Sequence, residues 1–233
     1  MDDGNTAVPA HEDTAATHRA WRDVTELAVG YTLILAVIWS PRPLQRALYC
    51  ATAAVLAAIL CGSFPGWKTM GLRSANLASS AWVAGVALLL SAIAILLAAR
   101  MHTLLLPGGV LPFVRRYLGY AIWTFLQQIL LQDFFLLRLL RLIRRPGSAA
   151  LAAATLFSLA HLPNPILVVV TFVWGIAACL LFLHYRNLYP LAAAHAILGI
   201  TLAMTVPGPV THNMRVGLGY LTYSSHPLHH RNH

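Results

Sequence analysis

Negative charge nearly disappears from this chain after its first 26 residues. Seven of the 233 residues are acidic, and six of them (Asp2, Asp3, Glu12, Asp13, Asp23 and Glu26) lie at the start. Asp133 is the one carboxylate beyond them. It sits inside a long apolar run that also holds Gln127, Gln128 and Gln132. Charge of either sign is scarce, at 10% of residues against about a quarter in soluble domains. With 58% hydrophobic residues and a mean hydropathy of +0.68, a chain of this length cannot hide its apolar side chains inside a water-soluble globule. It reads as an integral membrane protein whose first partner is the lipid bilayer. Cysteine is also sparse: Cys50, Cys61 and Cys179 show no C-x-x-C spacing, which excludes a disulfide framework, and they read as buried apolar side chains. Period-two alternation is missing, so strands are not indicated. The opening Met1-Asp2-Asp3-Gly4 lacks the basic start of a signal peptide. The formal charge of +9 does not imply nucleic acid, because the arginines lie mostly between apolar runs, as anchors at lipid headgroups do.

What is present is a series of about seven apolar segments: 24–39, 47–64, 78–99, 116–143, 148–162, 166–185 and 191–206. Pro41, Pro65-Gly66, Pro107-Gly108-Gly109, Pro146-Gly147, Pro163-Asn164-Pro165, Pro190 and Pro207-Gly208-Pro209 punctuate them. The fold class expected is all-α, a multi-span helical membrane bundle. A span needs about 20 residues, so the first, fifth and seventh segments are short enough to be partial, tilted or lining a cavity. Residues 1–23 read as a solvated tail, 24–209 as the bundle and 210–233 as a second tail. The His-rich end, His226, His229, His230 and His233, reads as solvated, with adventitious metal binding as the alternative. Arginine and lysine divide almost evenly between the two sides, which weakly favours a cytoplasmic amino terminus in a cytoplasmic (inner) membrane.

Polar groups inside spans face other helices or a wet cavity. At 100° per residue, Tyr120, Thr124, Gln127, Gln128, Gln132 and Arg138 share an arc of roughly 140°, and Asp133 lies about 100° from Gln132, outside it. Thr155, Ser158 and His161 follow at steps of three, and His195 has Gly199 one turn on. Gln127 to His161 and His161 to His195 are both 34 residues, enough for a helix, a loop and part of the next helix. One buried histidine is usually a packing residue; two beside a glutamine-bearing helix suggest a site. One geometric problem arises: straight helices would leave the two histidines about 12 Å apart in depth unless the 186–190 connection dips inward.

These motifs carry a resemblance. Phe157-Ser158-Leu-Ala-His161 fits the F-x-x-x-H motif of the CAAX-protease and bacteriocin-processing family of glutamic intramembrane proteases, also called CPBP or Abi proteins. His195-Ala-Ile-Leu-Gly199 resembles its H-x-x-x-N motif with Gly for Asn. Gln127-Gln128-Ile-Leu-Leu-Gln132 sits where E-E-x-x-x-R belongs, with Gln at every polar position. The resemblance covers about 115–205. It implies a site of Gln127, Gln128, His161 and His195, with Gln132, Phe157, Ser158 and Gly199 lining a cavity; Asp133, about a turn and a half along from Gln128, joins the candidate catalytic residues from its position in the run. It also implies peptide substrates such as the carboxyl termini of prenylated proteins. In the family the first Glu activates a water, while the histidines and the Asn hold that water and the oxyanion. Glutamine cannot be a general base, so the base here would be His161, His195 or Asp133.

Three readings follow. The first is an intramembrane endopeptidase-like protein with a rearranged site, acting on membrane-associated or prenylated peptides and requiring no cofactor. The second is an inactive pseudoprotease that binds such a peptide or an isoprenoid-bearing partner. The third is a metal enzyme using His161, His195 and Asp133; Asp133, off the polar arc, counts against it.

Overall fold

Proline-punctuated apolar runs become helices. The structure, a computed structural model, describes residues 10–223. It runs α1 (Ala10–Ile38), α2 (Arg42–Gly62), the short α3 (Leu77–Ser80), α4 (Trp82–Arg100) and α5 (Val110–Gln128). A π-helical stretch (Ile129–Leu136) carries α5 directly into α6 (Leu137–Leu142). Then come α7 (Pro146–Leu159), α8 (Pro165–Tyr185), α9 (Tyr189–Thr205), α10 (Gly208–Thr211), a 3₁₀ turn (His212–Met214) and α11 (Gly217–Leu221). No strand occurs among the described residues, so the all-helical bundle is what the chain forms. The His-rich tail from His226 lies outside the described residues. Proline stands in the first turn of α2, α7, α8 and α9, where its missing N–H would have had no intrahelical acceptor anyway.

Three helical stretches are long and apolar enough to cross a membrane: 42–62, 77–100 and 165–185. α7 and α9 are shorter apolar helices. Large apolar side chains point outward, Leu96 at 67% and Val169 at 63% exposure, as lipid rather than water would favour. α2 is the least covered of the three, which is why Cys50 and Cys61, expected to be buried, are exposed; Cys179 in α8 is buried.

The core gathers around the π-helical stretch. Leu131, Phe134 and Leu136 are fully buried there, against small residues such as Ala149 and Ala153 of α7 and Ala178 of α8. Small side chains let helices approach where lipid offers no hydrophobic drive to pack. Gly30 of α1 is one such point: a Cβ there would run into the Phe134 ring and Leu56. α4 packs on α9, where Thr201 Oγ1 donates to Ser91 Oγ at 2.8 Å.

Two features depart from the sequence expectation. α1 is helical from Ala10, through the stretch read as a tail, and exposed from Thr14 to Arg22. Its Asp23 and Glu26 then turn onto α6. Arg138, which shares the polar arc of its helix, is 1% exposed. Its Nε donates to Glu26 Oε2 at 2.8 Å, one terminal nitrogen to Ser63 Oγ at 2.9 Å, and the other to the carbonyls of Phe134 at 3.1 Å and Asp133 at 3.3 Å. Arg141, one turn on, holds Asp23 in a two-pronged pair at 2.7 and 2.5 Å. Residues 208–221 also fold back. Asn164 caps α8 by accepting from the Leu167 N–H, and its amide donates to the carbonyls of Thr211 and Arg215.

Removing one partner of a buried ion pair costs about 3–5 kcal/mol, because the other charge is stranded. Glu26→Gln should therefore lower the unfolding midpoint in detergent markedly. Arg22→Gln, which breaks the exposed Arg22–Glu26 pair, should leave it unchanged. Thermal unfolding of the two variants checks this; equal midpoints would contradict it.

Candidate functional site

Three helices deliver the polar residues to one place. Gln128 is the last residue of α5, and Gln132 lies one turn on in the π-helical stretch; both are fully buried. Gln132 Nε2 donates to Gln128 Oε1 at 3.2 Å, and Gln128 Nε2 lies 3.1 Å from His195 Nδ1. With its oxygen taken by Gln132, Gln128 presents its NH₂ group to His195. Nδ1 of His195 is then the acceptor, and its proton sits on Nε2.

His161 has the opposite tautomer. Its backbone N–H bonds to the Ser158 carbonyl at 2.9 Å, which leaves the Phe157 carbonyl as a free end of α7. The His161 ring takes it, with Nδ1 at 2.8 Å. A carbonyl only accepts, so Nδ1 carries the proton and Nε2 keeps its lone pair. One imidazole is thus set as an acceptor and the other as a donor.

The two rings share a wall. Phe157 makes edge contacts to His161 at 5.0 Å and to His195 at 6.0 Å between centroids. Trp174 of α8 packs against His195 at 5.8 Å. The connection into α9 is packed inside the protein, with Asn187, Leu188 and Pro190 all buried. Asn187 is pinned there, its amide donating to the carbonyls of Arg73 and Ala75, and the Leu188 N–H bonds to the Gly71 carbonyl. α9 therefore starts from a fixed connection, and its His195 reaches the same Phe157 ring as His161.

A cavity of about 470 Å³ lies beside this cluster. Gln127, His161, His195, Phe157 and Tyr120 line it, and the rest of its wall is mostly apolar, from Tyr31, Ile34 and Val37 of α1, Leu56 and Leu60 of α2, and Trp123 and Leu126 of α5. Met214 and Val216 of the folded-back end also line it. Gln128, Gln132, Ser158 and Gly199 are buried and not among its lining residues. Ser158 is bonded to the Thr155 carbonyl.

Asp133 is elsewhere. It is 3% exposed and does not line the cavity, and neither carboxylate oxygen has a hydrogen-bond partner among the described residues. The charge that acts on it is Arg186, at the end of α8. No group of three or more His, Cys, Asp or Glu side chains suited to a metal occurs among the described residues, so His161, His195 and Asp133 do not form the two-histidine, one-carboxylate set. Sequence reasoning missed Trp174, which stands on a helix apolar all round and gave no signal. It also left Tyr120 unassigned, although Tyr120 shared the polar arc with Gln127.

Residues 116–201, from α5 to α9, match the Rce1-like family, described as type II CAAX prenyl endopeptidase Rce1-like. The resemblance to CAAX proteases is thereby shown for the segment that carries the site, and it supports an intramembrane protease-like function. Comparison with curated proteins and with solved structures returns no match.

The hydrogen-bond directions are measurable without any substrate. In ¹⁵N-histidine-labelled protein, His195 should show the Nε2–H tautomer and His161 the Nδ1–H tautomer, and Gln128→Leu should release the preference of His195 alone. The reverse assignment in the unmodified protein would contradict the network.

Proposed function

We propose that the protein is an intramembrane endopeptidase-like hydrolase of the CAAX-processing type, acting on a membrane-held peptide that carries a prenyl or similar apolar tail. The observation that carries this reading is the cavity: its mostly apolar wall suits a lipid-like chain, and it also holds Gln127, His161 and His195. The reading keeps the amino terminus in the cytoplasm and the protein in the cytoplasmic membrane, as the slight excess of basic residues on that side favours.

The chemistry runs on imidazoles. A water hydrogen-bonded to His161 Nε2 loses its proton to that nitrogen as its oxygen attacks the scissile carbonyl carbon. His195 Nε2–H donates to the carbonyl oxygen as negative charge develops on it. The His161 proton then passes to the leaving nitrogen, and the amide bond breaks to give a carboxylate and an amine. Gln128 and Gln132 take no proton; they hold His195 in its donor tautomer. Gln127, facing the cavity, is available to a peptide carbonyl or N–H.

A second reading, a non-hydrolysing binder of the same peptide, is favoured by the lack of a carboxylate among the described residues of the cavity wall. One assay separates the two. Protein in lipid nanodiscs is given a farnesylated peptide with a free carboxyl end, and the fragments are counted by mass spectrometry. The hydrolase reading expects turnover that His161→Ala lowers by about 10²–10⁴-fold, the usual worth of a general base. Binding with no fragments, equal in the His161→Ala variant, supports the binder instead.

A further inference from the structure

Gly199 stands where the family motif has Asn, and the structure indicates what fills the space. A Cβ built on Gly199 would meet the hydroxyl of Tyr120 first, then its ring carbons Cζ and Cε1 at 2.7 and 2.8 Å. A side chain of any size at residue 199 and the present Tyr120 therefore exclude each other. Tyr120 is on α5, two turns before Gln127, and lines the cavity together with Gln127, His161 and His195. Gly199 is one turn beyond His195 on α9, and α5 packs directly on α9. No described residue hydrogen-bonds to the Tyr120 hydroxyl. The gap left by a missing side chain on α9 is thus filled by the hydroxyl end of Tyr120 from α5, a residue that lines the same cavity as both histidines.

We propose that Tyr120 is a catalytic residue whose phenol O–H donates a hydrogen bond to the scissile carbonyl oxygen, taking over the donor task of the absent motif amide. Tyr120 and Gly199 form one unit, and neither works with the other changed. The phenol keeps its proton throughout: water supplies OH to the carbonyl carbon and H to the leaving nitrogen, and Tyr120 only holds the oxygen on which charge develops. An O–H donor reaches an oxygen at about 2.5–3.0 Å, and loss of one such donor typically costs about 10²–10³ in kcat. This inference rests on the hydrolase reading for its rate effect, and not for its contact with the carbonyl oxygen.

The test uses the full chain in nanodiscs, with Tyr120→Phe, Gly199→Asn and the double variant Tyr120→Ala/Gly199→Asn. Two probes are used: the farnesylated peptide, and the same peptide with a hydroxymethylene group in place of the scissile carbonyl and nitrogen. Tyr120→Phe keeps the ring and its packing, so it should fold as the parent does, with kcat down about 10²-fold and KM near the parent value. Gly199→Asn alone should lose both thermal stability and turnover. The double variant, which restores the motif amide in vacated space, should recover stability and part of the turnover. If the parent binds the hydroxymethylene peptide but cleaves nothing, the hydrolase reading fails. Tyr120 then stands only if Tyr120→Phe binds that probe at least about tenfold more weakly, a hydrogen bond's worth. Equal kcat, or equal binding where there is no turnover, overturns the proposal. So does a double variant no better than Gly199→Asn, and so does a parent that binds neither probe.

Discussion

The buried guanidinium of Arg138 is the constraint on which the rest of this bundle depends. It sits in a chain with one carboxylate past residue 26, so its counter-charge has to come from the amino-terminal end, 112 residues away, in the form of Glu26. Its remaining donors satisfy Ser63 and two carbonyls of the π-helical stretch, and its face lies over the Phe134 ring. A buried charge with a poor set of partners would be costly; here the one group ties α1, the end of α2 and the widened turn together. Arg141 with Asp23 repeats the contact one turn on, so two acids spaced by three on α1 meet two arginines spaced by three on α6.

That clasp bears on the site through the π-helical stretch. The stretch begins directly after Gln128 and contains Gln132 and Asp133. It places the Gln132 amide on the Gln128 oxygen and leaves Asp133 away from the cavity, on the side acted on by Arg186. Wide turns of this kind recur at functional sites. The order of cause is then local: the arginine holds the widened turn, the turn sets the two glutamines, and the glutamines choose the tautomer of His195.

Most of the architecture could be read from composition and punctuation. The seven apolar segments correspond to α1, α2, α4, the α5–α6 rod, α7, α8 and α9, because the proline-bearing breaks at 41, 65, 107, 146, 163–165, 190 and 207 fall at or beside the helix ends. His161, His195 and Phe157 could be read from motif and spacing, and the structure brings their rings together. What could not be read depended on partners far apart in the chain. Asp23 read as the end of a solvated tail and Glu26 as part of the first apolar segment, since nothing local links them to Arg138 and Arg141. A wheel drawn at a constant 100° per residue also loses its phase at Ile129, where the helix widens, so positions beyond Gln128 had to be found in space. The pairing of Tyr120 with Gly199 joins two helices through a missing side chain, which a single sequence does not display.

The central claim is that two oppositely set imidazoles, not a carboxylate, direct water onto a peptide carbonyl in this cavity. Single-turnover reaction of the nanodisc protein with a farnesylated peptide in H₂¹⁸O tests it most directly. The account predicts a shortened prenyl peptide carrying one ¹⁸O in its new carboxylate, with no such product from His161→Ala. Bound peptide recovered intact, or label incorporated equally by the His161→Ala variant, would contradict it.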